Sequence, residues 1–520
     1  MTQTRFDNPD VIIPDVIRSH GKWRANKPAV IYEDGRLSWG ELDRRVDRVA
    51  GGLIAAGLKK GDKVSLLSSN RLEYLEVLFG IMRAGGVAVP LSALVAGRDL
   101  ARMVDDSDST FLFVGGPQRE ILEPFKDGFS RIPADHRFVI GEAAAGWVEY
   151  EPWLAEQIGD PVHVRLTYED PINIMYTSGT TGVPKGILHT HHNRTHFALA
   201  FGLDYRLDST ATTIITTSLY ANGTWLVMLP TVFAGGTLVI MSKFEPSDFL
   251  SLVQKHRCTH TFMVPTQFVV LFELPDWRDY DISSMRVWNS AGSPLRVETK
   301  KQIVNDLPGE LIELWGLTEG VATTLKPEDV LRKVESVGQP LVGWDVGIIG
   351  PDDRLLPPGE IGEIIAHSAF LMPEYYKLPD KTAESIWLDA DGKTYLRTGD
   401  MGKLDEEGFL YILDRKKDMI LSGGINIFAI DLESILIGHP DVDDVAVIGV
   451  AHDKWGETPV AVVRRREGAT ASAEDILAWA NPQLAKYQRL SKVVLHPGDF
   501  PRNALGKVLK RELRDMYPPA

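Results

Sequence analysis

An α/β protein is predicted, with a large N-terminal domain built of αβ layers and a small β region, and a small α+β C-terminal domain. Three observations carry this. Helical and strand-like patterns alternate from about residue 38 to 365. Past residue 340, Gly, Pro and Asp punctuate short alternating runs, as in Gly350-Pro-Asp-Asp353 and Pro357-Pro-Gly359. After the charge run Arg415-Lys-Lys-Asp418, about a hundred residues follow with an α/β pattern of their own. The length of 520 residues allows two to four units, and 44% apolar with 24% charged residues is a globular composition.

The elements follow in order. Ser38-Trp-Gly-Glu41 reads as a capping box, and Leu42, Val46, Val49 and Leu53 follow at helical spacing. A buried strand is expected over 64–67, a helix over 75–83 that ends at Gly85-Gly86, and a strand over 87–91. Ile172, Ile174 and Tyr176 alternate as in a strand. No charged residue occurs from 209 to 242, a stretch long enough to span a bilayer. Its threonines, Asn222, Pro230 and Gly235-Gly236 instead suit a buried strand, a short helix near 224–233 and a second strand near 237–241. In the C-terminal part, strands are expected over 442–450, 460–464 and 493–496. Helices are expected over 474–484, with Pro482 threatening the end, and over 507–516.

Charge and cysteine content narrow the function classes. Lys and Arg total 56 against 71 Asp and Glu, a net charge of −15, which argues against a general nucleic-acid grip or a polybasic membrane anchor. A lone cysteine, Cys258, makes neither an intramolecular disulfide nor a multi-cysteine zinc site. Residues 1–10 lack a basic region followed by an apolar run, so a secretory signal is not expected. The localisation expected is cytoplasmic, with no integral membrane span.

The strand ending at Tyr176 runs into Thr177-Ser-Gly-Thr-Thr-Gly-Val-Pro-Lys-Gly186. Its glycines let backbone N–H groups turn around an anion, hydroxyls at Ser178, Thr180 and Thr181 add donors, and Lys185 adds charge. Pro184 stands where a Walker A loop needs glycine. On residues alone, a phosphate site competes with a polar surface turn carrying an incidental lysine.

This segment resembles the signature loop of the AMP-forming acyl-adenylate superfamily, which includes acyl-CoA synthetases, adenylation domains and firefly-type luciferases. Further matches occur in order and cover roughly residues 30 to 515. In Trp315-Gly-Leu-Thr-Glu319 the resemblance places Trp315 against adenine, Thr318 on a phosphate and Glu319 on Mg²⁺, a hard cation that wants oxygen donors. Tyr is more frequent in relatives where Trp315 stands. Alone, the segment also reads as a helix start with an N-terminal acid. In Tyr395-Leu-Arg-Thr-Gly-Asp400, otherwise a turn signal, Asp400 matches the acceptor of the ribose hydroxyls. In Asp414-Arg-Lys-Lys-Asp-Met-Ile-Leu-Ser-Gly-Gly-Ile-Asn426, Arg415 matches a ribose contact and Lys417 a hinge. Ser422, Gly423 and Gly424 match a loop along the pantetheine tunnel. Relatives usually have Gly where Asp414 stands. In Pro501-Arg-Asn-Ala-Leu-Gly-Lys507, Lys507 matches the catalytic lysine; alone, it reads as a basic helix start.

What the resemblance implies is an ATP-dependent acid–CoA ligase that makes acyl-CoA, AMP and pyrophosphate through an acyl-adenylate. The substrates are ATP, CoA and a carboxylic acid, with Mg²⁺ as cofactor. The ATP site would comprise Thr177, Ser178, Gly179, Thr180, Thr181, Gly182, Lys185, Trp315, Thr318, Asp400, Arg415 and Lys507, with Lys507, Glu319 and Thr180 as catalytic groups. The implied domains are 1–414 for ATP and acyl binding, a hinge at 415–418, and a mobile domain at 419–520. A homodimer is left open.

In relatives the acyl pocket is lined by segments matching 218–225, 290–295 and 316–320, so Tyr220, Ala221, Ala291 and Gly316 are its expected residues here. Ala221 replaces a frequent histidine, and Ala291 a frequent glycine. No acidic residue at 220–225 is placed to pair with an α-amino group, which disfavours an amino acid. A hydrophobic acid, fatty or aryl, is expected. The competing readings are an adenylating enzyme that loads a carrier protein or forms an amide, and a non-catalytic nucleotide-binding protein. Retention of Lys185, Glu319, Asp400 and Lys507 opposes the last. His189, His191, His192 and His196 read as helix-start chemistry rather than a metal site, Cys258 as core, and Arg464-Arg-Arg466 as a solvated strand end rather than a grip on CoA.

Overall fold

The computed structural model describes residues 9–177, 184–423, 425–502 and 508–517. They fall into two compact units. The first holds the described residues up to Val334 together with Pro340–Trp344 and His367–Ile386. The second holds Glu335–Gln339, Asp345–Ala366 and the described residues from Trp387 onward.

The first unit contains two large sheets. One is seven-stranded, in the order Val148–Glu149, Arg137–Ile140, Ser109–Gly115, Lys63–Leu67, Val87–Pro90, Pro171–Thr177, Lys185–Thr190. It is parallel except for the last pair. Parallel strands covered on both faces read as continuous apolar runs, and Val64 to Leu67 are all buried. The helix Trp39–Ala55 starts at the expected capping box: Ser38 accepts from the Glu41 amide while Glu41 reaches back to the Ser38 amide. Its stripe of Leu42, Val46, Val49 and Leu53 is buried.

The second sheet runs through Val321–Leu325, Glu310–Leu317, Val287–Ser290, His260–Met263, Thr212–Ile215, Thr237–Ile240, Pro28–Tyr32 and Gly35–Ser38. The uncharged stretch resolves here as the parallel neighbours Thr212–Ile215 and Thr237–Ile240, joined by the helix Asn222–Ala234. That helix is buried from Thr224 to Val232, which accounts for its even hydrophobicity. No helix among the described residues is long and apolar enough to cross a membrane.

In the second unit, Thr394–Leu404 pairs antiparallel with Gly362–Ser368 and Leu410–Arg415. Tyr395–Asp400, a turn signal in isolation, therefore lies inside a strand. A second sheet orders Ile425–Ile427, Ile420–Ser422, Gly456–Arg465 and Val442–His452, with Lys492–Leu495 parallel to Gly456–Arg465. The predicted helix at 474–484 is shorter, Ala473–Ala480, and a 3₁₀ turn, Asn481–Gln483, takes up Pro482. The terminal helix is described as Lys510–Met516. The charge run is a turn as expected, but it is not fully solvated: Asp418 is buried and pairs with Arg514 at 2.8 Å.

Candidate active site

Strands Pro171–Thr177 and Lys185–Thr190 form an antiparallel hairpin in which Thr177 faces Lys185. The predicted site residues Ser178, Gly179, Thr180, Thr181 and Gly182 between them lie outside the described residues, as do Gly424 and Lys507. The hairpin is clamped on its outer side. The Tyr176 hydroxyl donates to Asp106 at 2.5 Å, the Leu188 amide to the Glu374 carbonyl at 3.2 Å, and the Tyr376 amide to the Gly186 carbonyl at 2.8 Å. The Tyr376 hydroxyl donates to Asp108 at 2.9 Å.

Trp315 and Thr318 close a hairpin rather than open a helix. The strand Glu310–Leu317 turns at Thr318–Gly320 and returns as Val321–Leu325. A Cβ on Gly316 would come within 2.4 Å of the Val321 carbonyl oxygen, so this glycine is required by the close approach of the returning backbone. Trp315, Thr318 and Glu319 are half-buried. The Tyr375 hydroxyl donates to Glu319 Oε1 at 2.8 Å, and the Met372 amide donates to the Glu319 carbonyl at 2.8 Å. Lys185 Nζ lies 4.8 Å from the centroid of the Tyr375 ring, a cation–π distance. One tyrosine thus gathers the expected phosphate lysine and the expected metal carboxylate.

Behind this hairpin lies a buried polar knot. His189 Nδ1 faces Asn173 Nδ2 at 3.1 Å and Arg194 Nη2 at 3.2 Å. Both are donors, so Nδ1 accepts and the ring proton sits on Nε2, which donates to the Thr318 carbonyl at 2.9 Å. Burial, aided by the charge of Arg194 and opposed by the Thr318 bond, holds the imidazole pKa well below its ordinary value. Arg194 is itself only 1% exposed, and burial pulls it down to about 9. The helix that carries it, His191–Asp204, starts at a capping box of Thr190 and Asn193, as the histidine-rich stretch predicted.

The predicted acyl segment 218–225 is held by its own bonds. The Leu219 amide donates to Asn70 Oδ1 at 2.8 Å, Trp225 Nε1 to the Leu219 carbonyl at 2.8 Å, and Thr224 Oγ1 to the Ser218 carbonyl at 2.6 Å. Ala221 and Ala291 are buried, and Tyr220 is half-buried.

In the second unit, Asp400 and Arg415 are cross-strand partners, and Arg415 Nε lies 2.6 Å from Asp400 Oδ1. The two predicted ribose contacts are therefore adjacent and paired. Lys417 follows in a turn whose Lys416 amide donates to the Gly399 carbonyl at 2.9 Å. Burial, with the charges of Arg415, Arg514 and Arg511 and against that of Asp418, lowers the Lys417 pKa. Ser422 ends the strand Ile420–Ser422. Gly423 follows at φ +59° and donates to the Trp455 carbonyl at 2.8 Å, a left-handed position that suits glycine.

The described donors suit a divalent cation held at one carboxylate rather than in a protein cage. Among the described residues there is no group of three or more His, Cys, Asp or Glu that could cage a metal. A single half-buried carboxylate, Glu319, oriented by Tyr375, suits Mg²⁺ that takes its other oxygens from substrate phosphates and water. Sequence reasoning missed Tyr375, Arg194 and Asn222. The doublet Tyr375-Tyr376 has no periodicity to mark it, and in the sequence Asn222 reads as an obstacle to membrane insertion and as one unremarked position of the acyl segment 218–225. His189 was noticed but assigned to the helix start.

Comparison with known proteins fits this geometry. Residues 18–376 match the family model for AMP-binding enzymes and residues 431–507 that for the AMP-binding enzyme C-terminal domain. A feruloyl-CoA synthase from an Amycolatopsis species is 34% identical over 493 residues, covering 94% of this chain and 96% of the relative. The long-chain-fatty-acid–CoA ligase FadD13 of Mycobacterium tuberculosis is 32% identical over 495 residues, covering 93% and 94%. The ATP-bound structure of MatB from Rhodopseudomonas palustris superimposes with a TM-score of 0.87 at 29% identity, covering 98% of this chain and 99% of that one.

Proposed function

The chain belongs to the AMP-binding enzyme family, and from that premise we propose that it joins a hydrophobic carboxylic acid to coenzyme A through an acyl-adenylate. The observation that carries the reading is the gathering of Lys185 and Glu319 on Tyr375, at the mouth of the hairpin whose loop resembles the family's phosphate signature. In the first half-reaction the acid's carboxylate attacks the α-phosphate of ATP and pyrophosphate leaves. The chain's part is to position and neutralise charge. Lys185 and the loop residues Thr177, Ser178, Gly179, Thr180, Thr181 and Gly182 hold phosphate oxygens, and Trp315 and Thr318 hold the adenine and a phosphate. Glu319 would hold Mg²⁺, which supplies charge neutralisation when bound. Asp400 and Arg415 hold the ribose, and Lys507 orients the carboxylate. For the second half-reaction, rotation of residues 419–520 about Lys417 withdraws Lys507 and brings Ser422, Gly423 and Gly424 to the CoA thiol. This makes turnover sensitive to domain motion.

Hydrophobic acids are favoured because segment 218–225 contains no charged side chain and Ala221 and Ala291 are small and buried. Relatives named for ferulate and for long-chain fatty acids agree with that class. ATP–pyrophosphate exchange with a panel of fatty and aryl acids, followed by thioester formation with free CoA, tests it. The expected result is exchange with a hydrophobic acid and conversion to its CoA thioester. Exchange with no acid overturns the adenylation reading, and exchange without thioester formation overturns CoA as the acceptor.

A further inference from the structure

We propose that Asn222 presents a fixed hydrogen-bond donor to the acyl pocket, held in that orientation by Arg194, and that the acid activated here carries an oxygen acceptor on its hydrophobic body. This rests on the acid-activating reading above and narrows its substrate class.

Arg194 is the starting point. Its guanidinium is almost wholly buried, and every one of its groups is a donor. Nε donates to Asn173 Oδ1 at 2.8 Å, Nη1 to Asn222 Oδ1 at 2.9 Å, and Nη2 to Met175 Sδ and His189 Nδ1, both at 3.2 Å. Its carbon lies 4.7 Å from the Trp225 ring centroid. No carboxylate pairs with it among the described residues. A buried cation without an anion depends on each neutral acceptor it has. The Asn222 amide therefore has one orientation. Exchanging its oxygen and nitrogen would set N–H against N–H and cost Arg194 an acceptor.

With Oδ1 committed, Nδ2 faces away from Arg194. Asn222 follows Ala221 directly and opens the helix Asn222–Ala234, in the segment assigned to the acyl pocket. It is half-buried, and its Nδ2 makes no hydrogen bond among the described residues. Two neighbouring polar groups are already used: Thr224 Oγ1 and Trp225 Nε1 both donate to carbonyls of the preceding turn. What Asn222 offers is a donor and never an acceptor, and the charge on its carbonyl side strengthens it. A saturated chain laid against it leaves it unanswered, and a substrate ammonium meets both a donor and a positive charge. A keto, hydroxyl, ether or ring methoxyl oxygen satisfies it. A site built around such a bond discriminates against the analogue that lacks it far more strongly than a methylene-sized difference would.

Matched acids test the proposal by ATP–pyrophosphate exchange: decanoate against its positional hydroxy and oxo derivatives, and cinnamate against its ring-hydroxylated and ring-methoxylated forms. The expected result is a kcat/KM for the best oxygenated acid about tenfold or more above that of its parent. Asn222→Asp keeps an acceptor for Arg194 but has no N–H to offer, so the ratio for the oxo and methoxyl acids, whose oxygens can only accept, should fall close to one while the thermal midpoint holds. Asn222→Leu should also abolish the ratio. Parent acids that match their oxygenated partners in the wild type, or a preference for an oxo or methoxyl acid that survives Asn222→Asp, would overturn the proposal while leaving the ligase reading intact. Exchange with neither kind of acid is the separate result that removes the ligase reading.

Discussion

The Tyr375 hydroxyl donates a 2.8 Å hydrogen bond to Glu319 Oε1, and the face of the same ring lies 4.8 Å from Lys185 Nζ. A carboxylate and an ammonium of opposite charge are thereby kept apart on two sides of one aromatic residue. Direct pairing would neutralise both, whereas this arrangement leaves each charge for a ligand.

Tyr375→Phe separates the two functions of the ring. It removes the donor to Glu319 and keeps the face for Lys185. A hydrogen bond to a charged group contributes about 1.5–3 kcal/mol, so kcat/KM for ATP in pyrophosphate exchange should fall roughly 10- to 100-fold. The Mg²⁺ concentration for half-maximal rate should rise, because the carboxylate is no longer oriented. Tyr375→Leu should weaken ATP further by also releasing Lys185. A Phe variant with unchanged Mg²⁺ dependence would dissociate Tyr375 from the metal site.

Lys507 is tested by separating the half-reactions. Lys507→Ala should abolish acid-dependent pyrophosphate exchange yet spare thioester formation from a supplied acyl-adenylate and CoA. Equal loss of both would reject the division of labour in which Lys507 serves adenylation alone.

The sequence was readable wherever chemistry is local. The Ser38–Glu41 box marked a helix start three residues wide, and the alternation of Ile172, Ile174 and Tyr176 marked the strand ahead of the phosphate loop. Local reasoning failed where the fold brings distant residues together. Trp315–Glu319 resembles a helix start because Thr318 and Glu319 are cap-like, but pairing with Val321–Leu325 makes it a hairpin. Tyr375 meets Glu319 across 56 residues, and Arg194 meets Asn222 across 28, separations at which no periodicity survives. Arg194 is the sharper lesson. Read from composition it is one of 56 cations, and only its burial reveals that it lacks a carboxylate among the described residues.

A second buried charge, Lys300, does have a carboxylate. Its Nζ lies 2.5 Å from Glu313 Oε2 and donates to the Val334 carbonyl at 2.6 Å, with side chains 3% and 5% exposed. Glu313 stands two residues before Trp315 on the same strand, so the pair underlies the predicted adenine contact. Lys300→Met leaves the carboxylate buried without a counter-charge, which costs about 3–5 kcal/mol. The thermal midpoint should drop on the order of 10 °C. The double variant Lys300→Met with Glu313→Leu should recover most of the loss, because it removes the orphaned charge. A double variant no more stable than the single one would show that the pair has a further role in fixing the strand.

Acid sensitivity should begin with histidines rather than carboxylates. His260 is fully buried. Its Nε2 lies 3.2 Å from the Tyr205 carbonyl and so donates to it, and its Nδ1 lies 2.7 Å from Thr259 Oγ1. Burial lowers it to about 4, and burial also lowers His191 to about 4. In the unfolded chain both titrate near 6.5. Between those values the unfolded state binds more protons, so the stability each neutral ring contributes is complete above about 6.5 and is lost progressively as pH falls towards 4. At pH 5 the loss is about 2 kcal/mol per histidine. Carboxylates held low, such as Asp170 and Asp418, act in a lower window, because their contribution starts to disappear only as pH falls through the ordinary carboxylate range. Thermal midpoints recorded from pH 7.5 to 4.5 should therefore begin falling near 6.5. His260→Gln, which keeps a donor for the Tyr205 carbonyl and cannot take up a proton, should reduce that fall by about one proton's worth of slope, whatever it does to the midpoint at pH 7.5. An unchanged slope in His260→Gln would mean that this ring is already protonated in the native state or stays neutral in both states.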